Sequence, residues 1–160
     1  MTTSWNFERR RDTCARFLIG VSVLAKGLAE RDTTLEAVRN RMRLSPEEAL
    51  FAARRLHEEK LIRFEAGGSV RSHAAGIERA ATLAAAVRAR VQRPDDAAAM
   101  LRAGGTPVGV LAAVIRADGG TLACGAPDAD PAYRLALAGD VVTLERRRAD
   151  GAYEAAPVDD

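Results

Sequence analysis

Between Leu44 and Arg71 the chain reads LSPEEALFAARRLHEEKLIRFEAGGSVR, and this stretch leaves little freedom of fold. Ser45 is followed by Pro46, and Glu48 stands three residues after the serine. In this capping-box arrangement the hydroxyl and the carboxylate each satisfy a free backbone amide at a helix start. The helix so opened is predicted to continue to about Lys60, with Ala49, Ala53 and Leu56 turned inward. Directly after it LIRFE reads as a strand, Gly67 and Gly68 as a tight turn, and SVRS as the returning strand. A capped helix running straight into a hairpin points to an α+β fold.

The flanks extend this pattern. A first helix is predicted over about Glu8 to Ala29, because Phe7, Cys14, Phe17, Leu18, Val21, Leu24, Ala25 and Leu28 recur at helical spacing. Asp32, Thr33 or Thr34 then caps a short helix with Leu35, Val38 and Met42 on one stripe and Arg39, Arg41 and Arg43 opposite. After the hairpin comes a long Ala-rich helix, Ala74 to Gln92, stopped by Pro94. Its seam of Ile77, Ala80, Ala84, Val87 and Val91 suits close packing, either on the first helix of the same chain or on a second copy. From residue 94 Gly, Pro and Asp become more frequent, which sets a domain of residues 1–93 apart from a small α+β or β-barrel-like domain of residues 94–160. There DDAAAMLRA reads as a short helix. VGVLAAVIR fits both periodicities, and its β-branched content with Asp118, Gly119 and Gly120 inclines it to a hairpin with TLACG. With YRLALAG, DVVTLERRR and AYEAA this makes five expected strands.

Charge divides along the same line. Residues 1–93 hold 18 Lys and Arg against 11 Asp and Glu, whereas residues 94–160 hold 6 against 11, so the first part is the candidate for an anionic partner. Cys14 and Cys124 have no neighbours at metal-ligand spacing, so neither a disulfide framework nor a metal site is expected, and a reducing cytoplasm is the natural compartment. Arg9, Arg10 and Arg11 before FLIGVSVLAKGLA outline an arginine-rich export signal, but Asp12 and Arg16 interrupt it and the helical spacing favours a folded helix. No apolar run is long enough to span a bilayer. No phosphate loop, nucleophile with its base, or paired carboxylates are found, so no catalytic residue and no cofactor is expected. His57, among Glu58 and Glu59, reads as a solvated or half-buried neighbour in an ion pair, and His73 as a helix cap.

The run TLEAVRNRMRLSPEEALFAARRLHEEKLIRFEAGGSVR resembles the winged helix-turn-helix domain of bacterial transcriptional regulators. It has the order of short helix, Ser-capped helix, an L-x-x-x-x-L-I exit at Leu56, Leu61 and Ile62, and wing. The following VRSHAAGIERA is similar to the wing-to-helix join of such regulators, with His73 where a Thr commonly precedes the glycine, here Gly76. The resemblance covers about residues 8–93. It implies sequence-selective binding of double-stranded DNA, with the helix Pro46–Lys60 in the major groove and the Gly67-Gly68 wing on the backbone. Carried over by position, Glu47, Leu50, Phe51, Arg54 and Arg55 would read bases, and Arg39, Arg41, Arg43, Arg63 and Arg71 would hold phosphates. If the Ile77–Val91 seam packs on a second copy, a homodimer through it and the first helix is expected. The second domain is left as a site for a possible protein partner, with Arg146, Arg147 and Arg148 as a basic run.

One departure stays open. Leu50 and Phe51 stand where related helices place polar or basic side chains. They fit a methyl-reading contact with thymine, a rotated helix that buries Leu50, or a surface given to a protein partner. The alternative functions are accordingly a winged-helix interaction module using the Leu50 and Phe51 face, or a phage or plasmid replication or partition protein.

Overall fold

The computed structural model describes residues 7–125 and 130–158, and the chain divides into two compact units, Met1–Ala84 and Ala85–Asp160. It is of the α+β class, with two separate antiparallel sheets.

In the first unit α1 (Phe7–Leu24), β1 (Asp32–Thr34), α2 (Leu35–Met42), α3 (Pro46–Glu58), β2 (Ile62–Phe64) and β3 (Ser69–Ser72) are followed by the start of α4 (Ala74–Arg90). α1 packs on both α2 and α3. It brings Phe17, Leu18, Val21 and Ala25 into a core with Val38, Met42, Ala49, Ala52, Ala53 and Leu56. The approach to α2 is close because Gly20 has no side chain: a Cβ there would stand 2.7 Å from Met42 Cγ and 3.0 Å from Val38 Cγ1. α1 ends five residues earlier than its apolar stripe predicts. Lys26 and Gly27 take positive φ, and Leu28, counted on that stripe, is 55% exposed.

The turn between α2 and α3 is fixed by three residues. Arg43 is left-handed at φ 53, Leu44 is buried, and Ser45 caps α3. The capping box forms as read from sequence: Glu48 N donates to Ser45 Oγ at 3.1 Å and Ser45 N donates to Glu48 Oε1 at 2.8 Å. At its other end α3 closes with paired bonds from Leu61 N to Leu56 O and from Lys60 N to His57 O, both 3.0 Å. These form a Schellman motif, with Leu56 and Leu61 as its buried apolar contact and Lys60, at φ 62, in the place usually taken by glycine.

β2 and β3 form the expected hairpin, with Ile62 opposite Ser72 and Gly68 at φ 89 in the turn. β1 has no counterpart among the expected strands. Thr34, read only as a cap, does cap α2 by accepting from Ala37 N at 3.0 Å, and its extended backbone also pairs with Ser69. The sheet order is β1-β3-β2. Gly76 opens α4 where a Cβ would collide with the Leu61 carbonyl and the Ser72 hydroxyl. On the α4 seam Ala80, Val87 and Val91 are buried within the chain, and Ile77 and Ala84 are half-buried.

The second unit holds α5 (Pro94–Ala103), α6 (Thr106–Ala117) and an antiparallel meander of β4 (Thr121–Ala123), β5 (Tyr133–Ala138), β6 (Val141–Arg147) and β7 (Tyr153–Ala155). α5 and α6 both pack on the sheet. Leu122, Leu135 and Leu144 stand in register across three strands and are buried. The reading of VGVLAAVIR as a strand is overturned, since it lies in α6, with Leu111 to Ile115 buried without a break. An all-round buried helix has no polar face, so period could not separate it from a strand. Asp118, Gly119 and Gly120 close the helix, with Gly120 N donating to Ile115 O at 2.9 Å. The partner of TLACG is therefore β5, and four of the five expected strands are present among the described residues.

Candidate nucleic-acid interface

The buried side of α3 is made by Ala49, Ala52, Ala53 and Leu56. At about 100° per residue the direction facing away from that arc is occupied by Glu47, Phe51, Arg54 and Glu58. Three of these are exposed, whereas Phe51 is half-buried despite lying roughly 150° from the middle of the buried arc. The guanidinium carbon of Arg10, on α1, stands 5.9 Å from the centroid of its ring. Leu50 lies on the flank of the helix and is also half-buried, neither a core residue nor a free patch. Of Leu50, Ala53 and His57, which follow one another at helical spacing along this flank, only Ala53 is fully buried.

The ten sequence-predicted site residues differ in how far they are already engaged. Arg54 is exposed and has no ion-pair partner among the described residues, which leaves its guanidinium available to a ligand. Arg55 is paired with Glu59 at 2.9 Å, Arg63 with Glu65 at 3.0 Å, and Arg71 with Asp32 at 2.9 Å. Arg63 and Arg71 are directly opposite one another across β2 and β3, so these carboxylates offset a like-charge contact. Such exposed pairs contribute about 0–1 kcal/mol each and would exchange for a phosphate at little cost. Arg39 is tied more firmly. Its Nη2 and Nε meet the two oxygens of Glu36 at 2.6 and 3.2 Å, and Nη1 donates to Leu44 O at 3.5 Å, so it braces the α2–α3 turn. That bond holds the Glu36 carboxyl below its usual range. Arg41 and Arg43 are exposed at the end of α2, and Glu47 is exposed in the first turn of α3.

Beneath the capping box lies a polar cluster that sequence reasoning missed. Asp12 is 9% exposed, its Oδ2 stands 3.7 Å from Arg16 Nη1, and Arg16 Nη2 donates to Met42 O at 3.2 Å. Arg9 Nη2 stands 3.7 Å from Glu48 Oε2. Asp12 Oδ1, Thr13 Oγ1 and Arg16 Nε are buried without a hydrogen-bond partner among the described residues. Burial pushes the Asp12 carboxyl up to about 6, against the pull of Arg16 and with a smaller push from Glu48. The cluster could be anticipated from the Asp12 to Arg16 spacing only as an ion pair. Of the Arg9 to Arg11 run, which in sequence outlines an export signal, Arg9 and Arg10 reach α3.

His57 is exposed, as expected, and among the described residues it makes no ion pair. Its Nδ1 accepts from Phe64 N at 3.2 Å, which ties the end of α3 to the root of the hairpin. His73 accepts the first α4 bond through its carbonyl, from Ile77 N at 3.1 Å, while its ring meets Glu30 at 2.7 Å. Burial raises both Cys14 and Cys124 to about 11, which makes them poor nucleophiles and poor metal ligands. Among the described residues no three His, Cys, Asp or Glu side chains are grouped to hold a metal ion, and no helix is long and apolar enough to cross a membrane.

In the second unit Arg134 stacks on Tyr153 with its guanidinium carbon 3.6 Å from the ring centroid, and its Nε donates to Glu145 at 2.8 Å. Arg146 and Arg148 of the basic run are paired with Glu154 and Asp150, and Arg147 donates to the Asp130 carbonyl. Compared with known protein families, curated proteins and solved structures, the chain matches no family model, no curated protein and no solved structure.

Proposed function

We propose that the first unit is a winged helix-turn-helix that binds double-stranded DNA with some sequence selectivity, in a cytoplasmic transcriptional regulator. What carries this reading is one arrangement: α2, a three-residue turn and a doubly capped α3 that offers Glu47, Phe51 and Arg54 outward, followed by a β2–β3 hairpin joined to the end of α3 by the His57–Phe64 bond. The sheet order β1-β3-β2 and the Gly76 join agree with it. In this reading α3 enters the major groove, Arg54 reaches a base edge, and Arg41, Arg43, Arg63 and Arg71 contact phosphates on either side.

A second reading is favoured by a different observation. From Pro46 to Glu59 there are four carboxylates against two guanidinia, and the outward stripe contains an aromatic ring. Such a face suits a protein partner, with Phe51 as an anchor. Fluorescence anisotropy on labelled duplexes, including the DNA upstream of the protein's own gene, separates the two. DNA binding weakens steeply with salt, and Arg54→Ala lowers affinity by about 5- to 150-fold, the equivalent of one base contact of about 1–3 kcal/mol. A protein interface tolerates salt and fails on Phe51→Ala. Absence of duplex binding at low salt rejects the DNA reading.

A further inference from the structure

On the DNA reading, α3 does not carry the charge that a duplex requires. Its four carboxylates, Glu47, Glu48, Glu58 and the C-cap Glu59, outnumber Arg54 and Arg55, and Arg55 is itself paired with Glu59. A polyanion with one charge per about 1.7 Å of axis is repelled by that face unless cations come from elsewhere.

They come from the first turns of α1. Arg9 reaches Glu48 at 3.7 Å and offsets the carboxylate that the capping box needs. Arg10 is exposed and lies over the ring of Phe51, which sits four residues from Glu47 and three from Arg54 on the outward stripe. Packing of α1 on α3 thus delivers a guanidinium onto the side of α3 that faces away from the core. A guanidinium held by cation–π attraction near an aromatic ring, without direct stacking, keeps its N–H groups open to an anion.

We infer that α1 is the second half of the duplex-binding surface: Arg10, held near the Phe51 ring, donates to a backbone phosphate beside the groove that α3 enters, while Arg9 offsets Glu48. Phe51 is then a platform for the arginine, and an apolar residue in a DNA-facing helix has a role without reading a base. This rests on the reading of α3 as a DNA-binding helix.

The test is anisotropy of the full chain on two duplexes of unrelated sequence over a salt series, for wild type, Arg10→Ala, Arg10→Lys, Phe51→Leu and the Arg10→Ala, Phe51→Leu double variant, with thermal melts to confirm folding. The expected result for Arg10→Ala is a loss of affinity equal on both duplexes and a salt slope smaller by about 0.9, one phosphate contact. Arg10→Lys keeps the slope, and Phe51→Leu, which retains an apolar side chain, weakens wild type but has less effect once Arg10 is absent. Wild-type binding undiminished in Arg10→Ala overturns the inference and leaves the DNA reading standing. No binding by wild type to either duplex overturns both.

Discussion

Asp12 gives the most quantitative prediction. Its carboxylate is buried on α1, one oxygen lacks a hydrogen-bond partner among the described residues, and the other is held 3.7 Å from Arg16, too far for a good charge-assisted bond. Desolvation therefore outweighs the ion pair, and the carboxyl rises from 3.8 to about 6. The folded state then binds a proton more readily than the unfolded one between those values. Stability from this group is full below about 3.8 and is lost as the pH rises through about 6. Linkage for those two values gives a gain of roughly 1 kcal/mol on moving from pH 7 to pH 5. Urea unfolding of wild type and Asp12→Asn at both pH values is the assay. Taking the difference between the two proteins removes the contribution of every other carboxylate. The amide of the variant cannot titrate, so the wild type should gain roughly 1 kcal/mol on it over that interval. Parallel pH dependences in the two proteins would refute the claim that burial dominates over Arg16.

Two backbone positions give further tests. Lys60→Gly removes the cost of a left-handed side chain in the Schellman motif and should raise stability by about 0.5–1 kcal/mol, readable as an upward shift of the melting temperature. Gly76→Ala gains roughly 1 kcal/mol in helix propensity but drives a Cβ into the Leu61 carbonyl and the Ser72 hydroxyl, so a net loss of about 1–3 kcal/mol in urea unfolding is expected.

What was legible in the sequence is what local chemistry decides. The capping box at Ser45 and Glu48 and the Gly67-Gly68 turn each depend on a few contiguous residues, and both form as read. The errors fall where two structures share one local signature. Gly119-Gly120 serves equally as a hairpin turn or a helix C-cap, and the uninterrupted apolar run before it could not decide between them. β1 is three residues long and mostly exposed, so it has no apolar alternation to read, and its existence depends on the register with β3. The same limit applies to the site. That arginines surround α3 is visible in the letters, and the Arg39–Glu36 pair follows from helical spacing. That Arg71 meets Asp32, or that Arg10 lies over Phe51, depends on elements brought together by the core.

The acids of α3 present a conflict between stability and the proposed function, and the geometry indicates how it is resolved. Glu47 and Glu48 favour the helix start through the dipole, and Glu48 also completes the capping box. Replacing them with cations would suit a phosphate backbone but would weaken the helix meant to meet it. Placing the cations on α1 avoids that choice. Arg9 sits by the carboxylate that must stay and Arg10 by the ring on the outward stripe, so α3 keeps its stabilising acids while the two arginines offset its surplus of two carboxylates. The cost is desolvation at the α1–α3 junction, where Asp12, Thr13 and Arg16 retain buried atoms without partners among the described residues. That junction joins the unit's least satisfied polar groups to its proposed binding surface, so the stability of α1 and the affinity for DNA should depend on the same contacts.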